Sequence, residues 1–162
     1  MKKIVVRAPR PRDVDDLFEL IREFARHENM LSKFALTPEN LKGVLFCKPK
    51  QFFCIVAEAD ERIVGYAIWS RSFAFFRGGW VLFLEGLYVR SRYRGRGIGK
   101  QLLAHVAKRA IRERCLGVRW EARTSNKKAI GFYKSLAAKQ LPGNCQFVLS
   151  GGALRDLAEK HA

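Results

Sequence analysis

Leu82-Phe83-Leu84-Glu85-Gly86-Leu87-Tyr88-Val89, followed closely by Tyr93-Arg94-Gly95-Arg96-Gly97-Ile98-Gly99-Lys100-Gln101, is the stretch that decides the fold. Apolar, strand-forming residues end in a loop whose glycines recur at alternate positions, and an amphipathic helix begins directly after it. Glycines so spaced leave backbone N–H groups uncovered, and at the start of a helix those groups point toward an anion. Arg90, Arg92, Arg94, Arg96 and Lys100 surround the same loop. A phosphate or pyrophosphate is its natural occupant.

Spacing narrows the choice of ligand. A Walker loop needs four residues between its glycines and a Ser or Thr after the Lys. Here three residues separate Gly95 from Gly99, and Gln101 follows Lys100. The dinucleotide fingerprint needs G-x-G-x-x-G beside the first strand of a βαβ unit. This chain has G-x-G-x-G, more than halfway along its length. Both motifs fail.

At 162 residues, 48% of them hydrophobic, the chain suits one folded domain over 1–162 and excludes a disordered one. Arg7 interrupts the apolar run that follows Lys2 and Lys3, so no secretory leader is expected, and no run is long enough to span a membrane. Cys47, Cys54, Cys115 and Cys145 are scattered with no CxxC pair, which points to reduced thiols in a cytoplasmic protein without a metal site. The net charge of +16 favours anionic partners and disfavours a polycationic substrate.

Hydrophobic period sets the element order. Residues 4–7 read as a strand, and 13–27 carry the helical stripe Val14, Leu17, Phe18, Ile21, Phe24 and Ala25. Thr37-Pro38 opens a short helix to Leu45. Residues 51–59 and 62–70 read as strands joined at Asp60-Glu61. A turn at 77–79 leads into a strand over 80–89. Ile98, Leu102, Val106 and Ala110 share a helix face, with His105 off it. A strand over 118–122, a helix capped by Asn126 and reaching about Leu136, a strand over 146–149 and a helix over 153–160 complete the chain. Such an order is α+β, an antiparallel meander followed by a βαβ-like half.

The loop Arg94-Gly95-Arg96-Gly97-Ile98-Gly99 reads Arg-x-x-Gly-x-Gly and resembles the acetyl-CoA pyrophosphate loop of the GNAT superfamily of N-acetyltransferases. The stretch 82–89, Tyr93-Arg94-Gly95, Asn126 and Gly131-Phe132-Tyr133-Lys134 are similar to the diamine (spermidine/spermine) and thialysine N-acetyltransferase branch. So is Glu23-Phe24-Ala25-Arg26-His27-Glu28-Asn29-Met30. The resemblance implies a GNAT fold, with a mixed, mostly antiparallel central sheet flanked by helices. It implies acetyl-CoA as cosubstrate, no metal, and a homodimer. It places the backbone of Leu87, Tyr88 and Val89 along the pantetheine arm and Arg94, Gly95, Arg96, Gly97, Ile98, Gly99 and Lys100 on the pyrophosphate. Asn126 and Tyr133 would touch the cofactor as well. Tyr133 would be the general acid that protonates the leaving thiolate. Glu85 would be the base near the amine, and His27 and Glu28 would contact the acceptor.

The chain also departs from that branch. Gly86 stands where the polyamine enzymes carry an aspartate, and Ser72-Phe73-Ala74-Phe75-Phe76-Arg77 is aromatic and basic where they place an acid and a tryptophan. Ala137 replaces the glycine that commonly ends the Tyr133 helix, so a different helix end is expected. The reading is an N-acetyltransferase for a primary amine on a small molecule, an amino acid or amine in preference to a polyamine. Two alternatives are a protein or peptide N-acetyltransferase and a basic RNA-associated module that keeps acyl-CoA as a ligand. Nucleic acid is the weakest partner, since the basic residues concentrate only where CoA phosphates account for them, and no membrane partner is expected.

Overall fold

The computed structural model describes residues 4–141. They fall into two compact units, one ending at Glu121 and one beginning at Ala122. The first unit contains β1 (Val5–Arg7), α1 (Val14–His27), α2 (Pro38–Phe46), β2 (Phe52–Ala59), β3 (Arg62–Ala74), β4 (Gly79–Val89), α3 (Ile98–Arg112) and β5 (Val118–Trp120). The five strands lie side by side in chain order. All pairs are antiparallel except β4 with β5, which is parallel. The second unit contains α4 (Lys127–Ser135). The mixed sheet matches the expected fold class. The strand expected over 146–149, the helix over 153–160, Cys145 and His161 lie outside the described residues.

Local chemistry accounts for the elements. Thr37 caps α2 by accepting a hydrogen bond from Asn40 N at 3.1 Å, with Pro38 in the first helical position. Asp60 and Glu61 both adopt positive φ, 52° and 60°, the backbone of a tight two-residue hairpin whose twist matches its strands. Leu17 and Leu20 of α1 and Leu41 and Leu45 of α2 are buried against Val56, Tyr66 and Tyr88 on one sheet face. Ile98, Leu102, Val106 and Ala110 of α3 are buried too, as their spacing predicts, and α3 covers β2, β3 and β4. Arg7 binds Asp13 and Glu58 together, which ties β1 to the entry of α1 and to β2.

Two boundaries differ from the sequence reading, and both matter for the site. β3 continues past Ser70 to Ala74, so residues 71–81 of β3 and β4 project as a two-stranded finger beyond the pairings of β2 and β5. β5 stops at Trp120 where a strand to Ala122 was expected.

The end of α4 corrects a third expectation. Ala137 takes φ 59°, Ala137 N donates to Lys134 O and Ala138 N donates to Tyr133 O. The helix therefore closes in the left-handed turn that glycine usually supplies, with alanine carrying the steric cost. Ala137→Gly should raise stability by about 1 kcal/mol, seen as a higher Tm. An unchanged or lower Tm would contradict that turn.

Candidate active site

The strand before the glycine loop is open along one edge. β5 pairs with β4 only from Leu82 to Leu84. Beyond Leu84, β4 continues to Val89 with β3 as its sole strand neighbour among the described residues. Arg90 N donates to Val64 O, which marks the hydrogen-bonded positions of the β3–β4 ladder. Counting back by alternation, Tyr88 and Gly86 face β3, whereas Leu87 and Val89 direct N–H and C=O outward to the open edge. Extended ligand backbone fits such an edge as an added strand. Of the three positions expected along the pantetheine arm, Leu87 and Val89 offer outward amides and Tyr88 does not.

Two glycines shape the loop. Gly95 and Gly97 both have φ 76°, and a Cβ at either would meet nothing within 4 Å. Conformation, not crowding, is what selects glycine there. The first bond of α3 runs from Gln101 N to Gly97 O at 2.9 Å, so the N–H groups of Ile98, Gly99 and Lys100 begin the helix without intrahelical partners. Those donors and the positive end of the helix dipole face the loop's concavity.

The five cations do different jobs. Arg90 pairs with Glu23 of α1, Nη2 to Oε1 at 3.0 Å, and so holds the loop to the helix. Arg94 Nε donates to Val89 O at 2.8 Å while its guanidinium lies 5.3 Å over the Tyr88 ring. It satisfies one outward carbonyl and leaves the Val89 N–H available. Arg92 and Arg96 lie 5.0 and 5.4 Å from the Tyr93 ring centroid. Arg92, Arg96 and Lys100 are therefore the loop cations whose charged groups bind neither an acid nor a backbone carbonyl among the described residues. Sequence alone treats all five alike.

A β-bulge creates the acidic corner. Ile68 pairs with Gly86 and Trp69 with Leu84, so Glu85 is the extra residue of β4. Ser70, across the strand, donates its Oγ–H to Glu85 Oε1 at 2.7 Å. Glu85 is exposed at the surface. Tyr88 lies beside it in an aromatic group, with ring centroids 5.5 Å from Phe24, 6.3 Å from His27 and 6.4 Å from Tyr66. His27 and Glu28 close α1, where Asn29 turns left-handed (φ 54°) and Met30 N donates to Ala25 O. The structure thus brings Glu85, His27 and the open edge of β4 to one end of the first unit. Ser70 and Tyr66 were missed from sequence, because only the bulge and the register bring Ser70 to Glu85 and Tyr66 to Gly86.

In the second unit, Asn126 Oδ1 accepts a hydrogen bond from Ala129 N at 3.1 Å and caps α4. Tyr133, half-buried, sits one helical turn further with its ring 5.3 Å from that of Phe132. The basic residue of segment 72–77 is not near Glu85. Arg77 lies at the finger's end, four strand residues past Ser70 or roughly 13 Å at the usual rise. That finger carries Phe73 in edge contact with Phe75 (5.1 Å) and Trp80 (5.2 Å), Arg71 4.4 Å over Trp80, and a fully exposed Phe76.

Comparison with known proteins agrees with this geometry. Residues 14–137 match the model of the acetyltransferase (GNAT) family. The chain is similar to thialysine N-epsilon-acetyltransferase of Bos taurus, at 30% identity over 99% of this chain and 100% of the relative. It is 31% identical to spermidine/spermine N(1)-acetyltransferase-like protein 1 of Homo sapiens over 80% of this chain and 19% of that protein. Among solved structures it resembles an integron cassette protein from the mobile metagenome of V. cholerae, with TM-score 0.79 and 25% identity over 97% of this chain and 98% of that one.

The division of labour among the loop cations is open to test. Inorganic pyrophosphate should raise the Tm, most at low ionic strength, because exposed charges are screened within about 8–10 Å at ordinary salt. Arg96→Ala should weaken that effect about threefold or more, and Arg90→Ala should change it less than about twofold. Equal losses would contradict the assignment of Arg90 to Glu23.

Proposed function

This chain belongs to the GNAT acetyltransferase family and is an N-acetyltransferase, and from that premise we propose that it acetylates a primary amine on a small molecule, an amino acid or simple amine and not a polyamine. The observation that carries the proposal is the open edge of β4, where Leu87 and Val89 turn their amides outward directly before the glycine loop. Acetyl-CoA, when bound, supplies the activated acetyl group as a thioester. In this reading the N–H groups of Ile98, Gly99 and Lys100, with Gly95, Gly97, Arg96 and Lys100, hold its pyrophosphate. Arg94 shapes the loop from Val89 O, and Asn126 contacts the far end of the pantetheine.

The chain's own groups then manage protons and charge. An outward N–H of Leu87 or Val89 donates to the thioester oxygen and stabilises the negative charge that develops there. The attacking amine must be unprotonated. Ser70 fixes Glu85 through Oε1, which leaves Oε2 to take the amine's proton through water. The Tyr133 hydroxyl delivers a proton to the departing thiolate. His27 and Glu28 line the acceptor side. Gly86 removes the second negative charge that would hold a diamine, and the +16 net charge repels a polycation at long range. By the same reading the protein is cytoplasmic, on its scattered thiols, and a homodimer by analogy with the family.

A second reading has one observation in its favour. The exposed aromatic finger, Phe73 to Trp80, is suited to grip a peptide, which would make the acceptor a protein amine.

A thiol-release assay with acetyl-CoA across amines, amino acids, polyamines and peptides decides between them. Small primary amines or amino acids should be turned over and spermine poorly. A panel in which only peptides react, or spermine reacts best, would overturn the acceptor class. Tyr133→Phe should lower kcat and kcat/KM together by about 10- to 1000-fold with acetyl-CoA affinity preserved. A variant keeping more than about half the wild-type kcat would reject Tyr133 as the acid.

A further inference from the structure

Tyr66 is the least explained polar side chain near Glu85. It lies on β3 with 2% of its surface exposed. No described residue hydrogen-bonds its hydroxyl, although a buried tyrosine usually finds a partner. Among the described residues only a Glu113 oxygen is both sealed from solvent and unpartnered. The Tyr66 oxygen therefore keeps a trace of solvent exposure, and Gly86 is packed beside it. A Cβ built on Gly86 would lie 3.2 Å from Tyr66 Cε2 and 3.3 Å from its hydroxyl. A side chain at 86 would crowd the ring, which would have to give by a few tenths of an ångström.

We propose that Tyr66 and Gly86 form the specificity corner of the acceptor site, where the Tyr66 hydroxyl hydrogen-bonds an uncharged or anionic polar group carried near the reacting amine. The proposal rests on reading Glu85 as the acceptor side. The absent side chain at 86 makes the room, and the phenol supplies the directional contact. Burial pushes the Tyr66 phenol well above its ordinary pKa, so it stays protonated and donates. A neutral donor satisfies a hydroxyl, carbonyl or carboxylate. A second ammonium gains little there, because Arg94 already lies against the neighbouring Tyr88 ring. The favoured class is a monoamine bearing an oxygen function, not a diamine.

Tyr66→Phe tests this with matched acceptors, an alkylamine and its hydroxyl- or carboxyl-bearing analogue. The variant should raise KM for the oxygen-bearing acceptor about 3- to 10-fold, the worth of one neutral hydrogen bond. KM for the alkylamine and for acetyl-CoA should stay unchanged. The Tm should not fall, since the lost hydroxyl has no hydrogen-bond partner among the described residues. Gly86→Ala, which crowds the ring, should raise the same KM. An active Tyr66→Phe enzyme with both amine KM values unchanged, or with a lowered Tm as its sole defect, overturns the specificity corner alone. A wild-type enzyme that acetylates no small amine overturns the acceptor reading and this corner with it.

Discussion

Backbone hydrogen bonding along β4 is the constraint on which the rest depends. An amide in a sheet interior must find a partner, and β4 pairs with β3 at every residue but the bulged Glu85. On the β5 side, among the described residues, it finds strand partners only from Leu82 to Leu84. The remaining outward groups are left to other chemistry. Arg94 takes the Val89 carbonyl, and the Leu87 and Val89 donors stay beside the glycine loop. Had β5 reached Ala122 and pairing continued, no added strand could enter.

Charge follows the same economy. A net +16 suggests a surface devoted to anions. Yet the arginines nearest the loop divide between fixing the scaffold and meeting a ligand. Arg90 is spent on Glu23, and Arg94 on a carbonyl and an aromatic face. Arg71 reaches toward Glu113, which Arg109 also binds, and this joins the finger to the end of α3. Arginine suits these tasks because its planar fork donates in fixed directions and stacks on rings.

The corner at Glu85 shows how one missing side chain changes a site. Gly86 does not simply subtract an acid, because the vacated space is met by the Tyr66 ring. The bulge matters equally. It adds one residue to β4, which places Glu85 opposite no partner and within reach of Ser70. A strand without the bulge would shift every later side chain to the other face.

Much of this was legible in the residues. Glycines at alternate positions after an apolar run marked the loop, since few backbones other than glycine's accept φ 76° twice in three residues. The stripe on α1, the Thr37-Pro38 and Asn126 caps and the face of α3 follow from period and local hydrogen bonding. The turns that close the helices were not legible, because Asn29, Arg114 and Ala137 go left-handed with no glycine to signal it. Nor could sequence separate Arg90 from Arg96, find the bulge, or bring Tyr66 to Gly86. Nor did sequence show that β3 runs on to Ala74, which carries Arg77 well past Ser70 and Glu85. Local preferences are written residue by residue and were read that way. Register, strand length and the pairing of distant charges arise only when the sheet closes, and tertiary structure alone decided them.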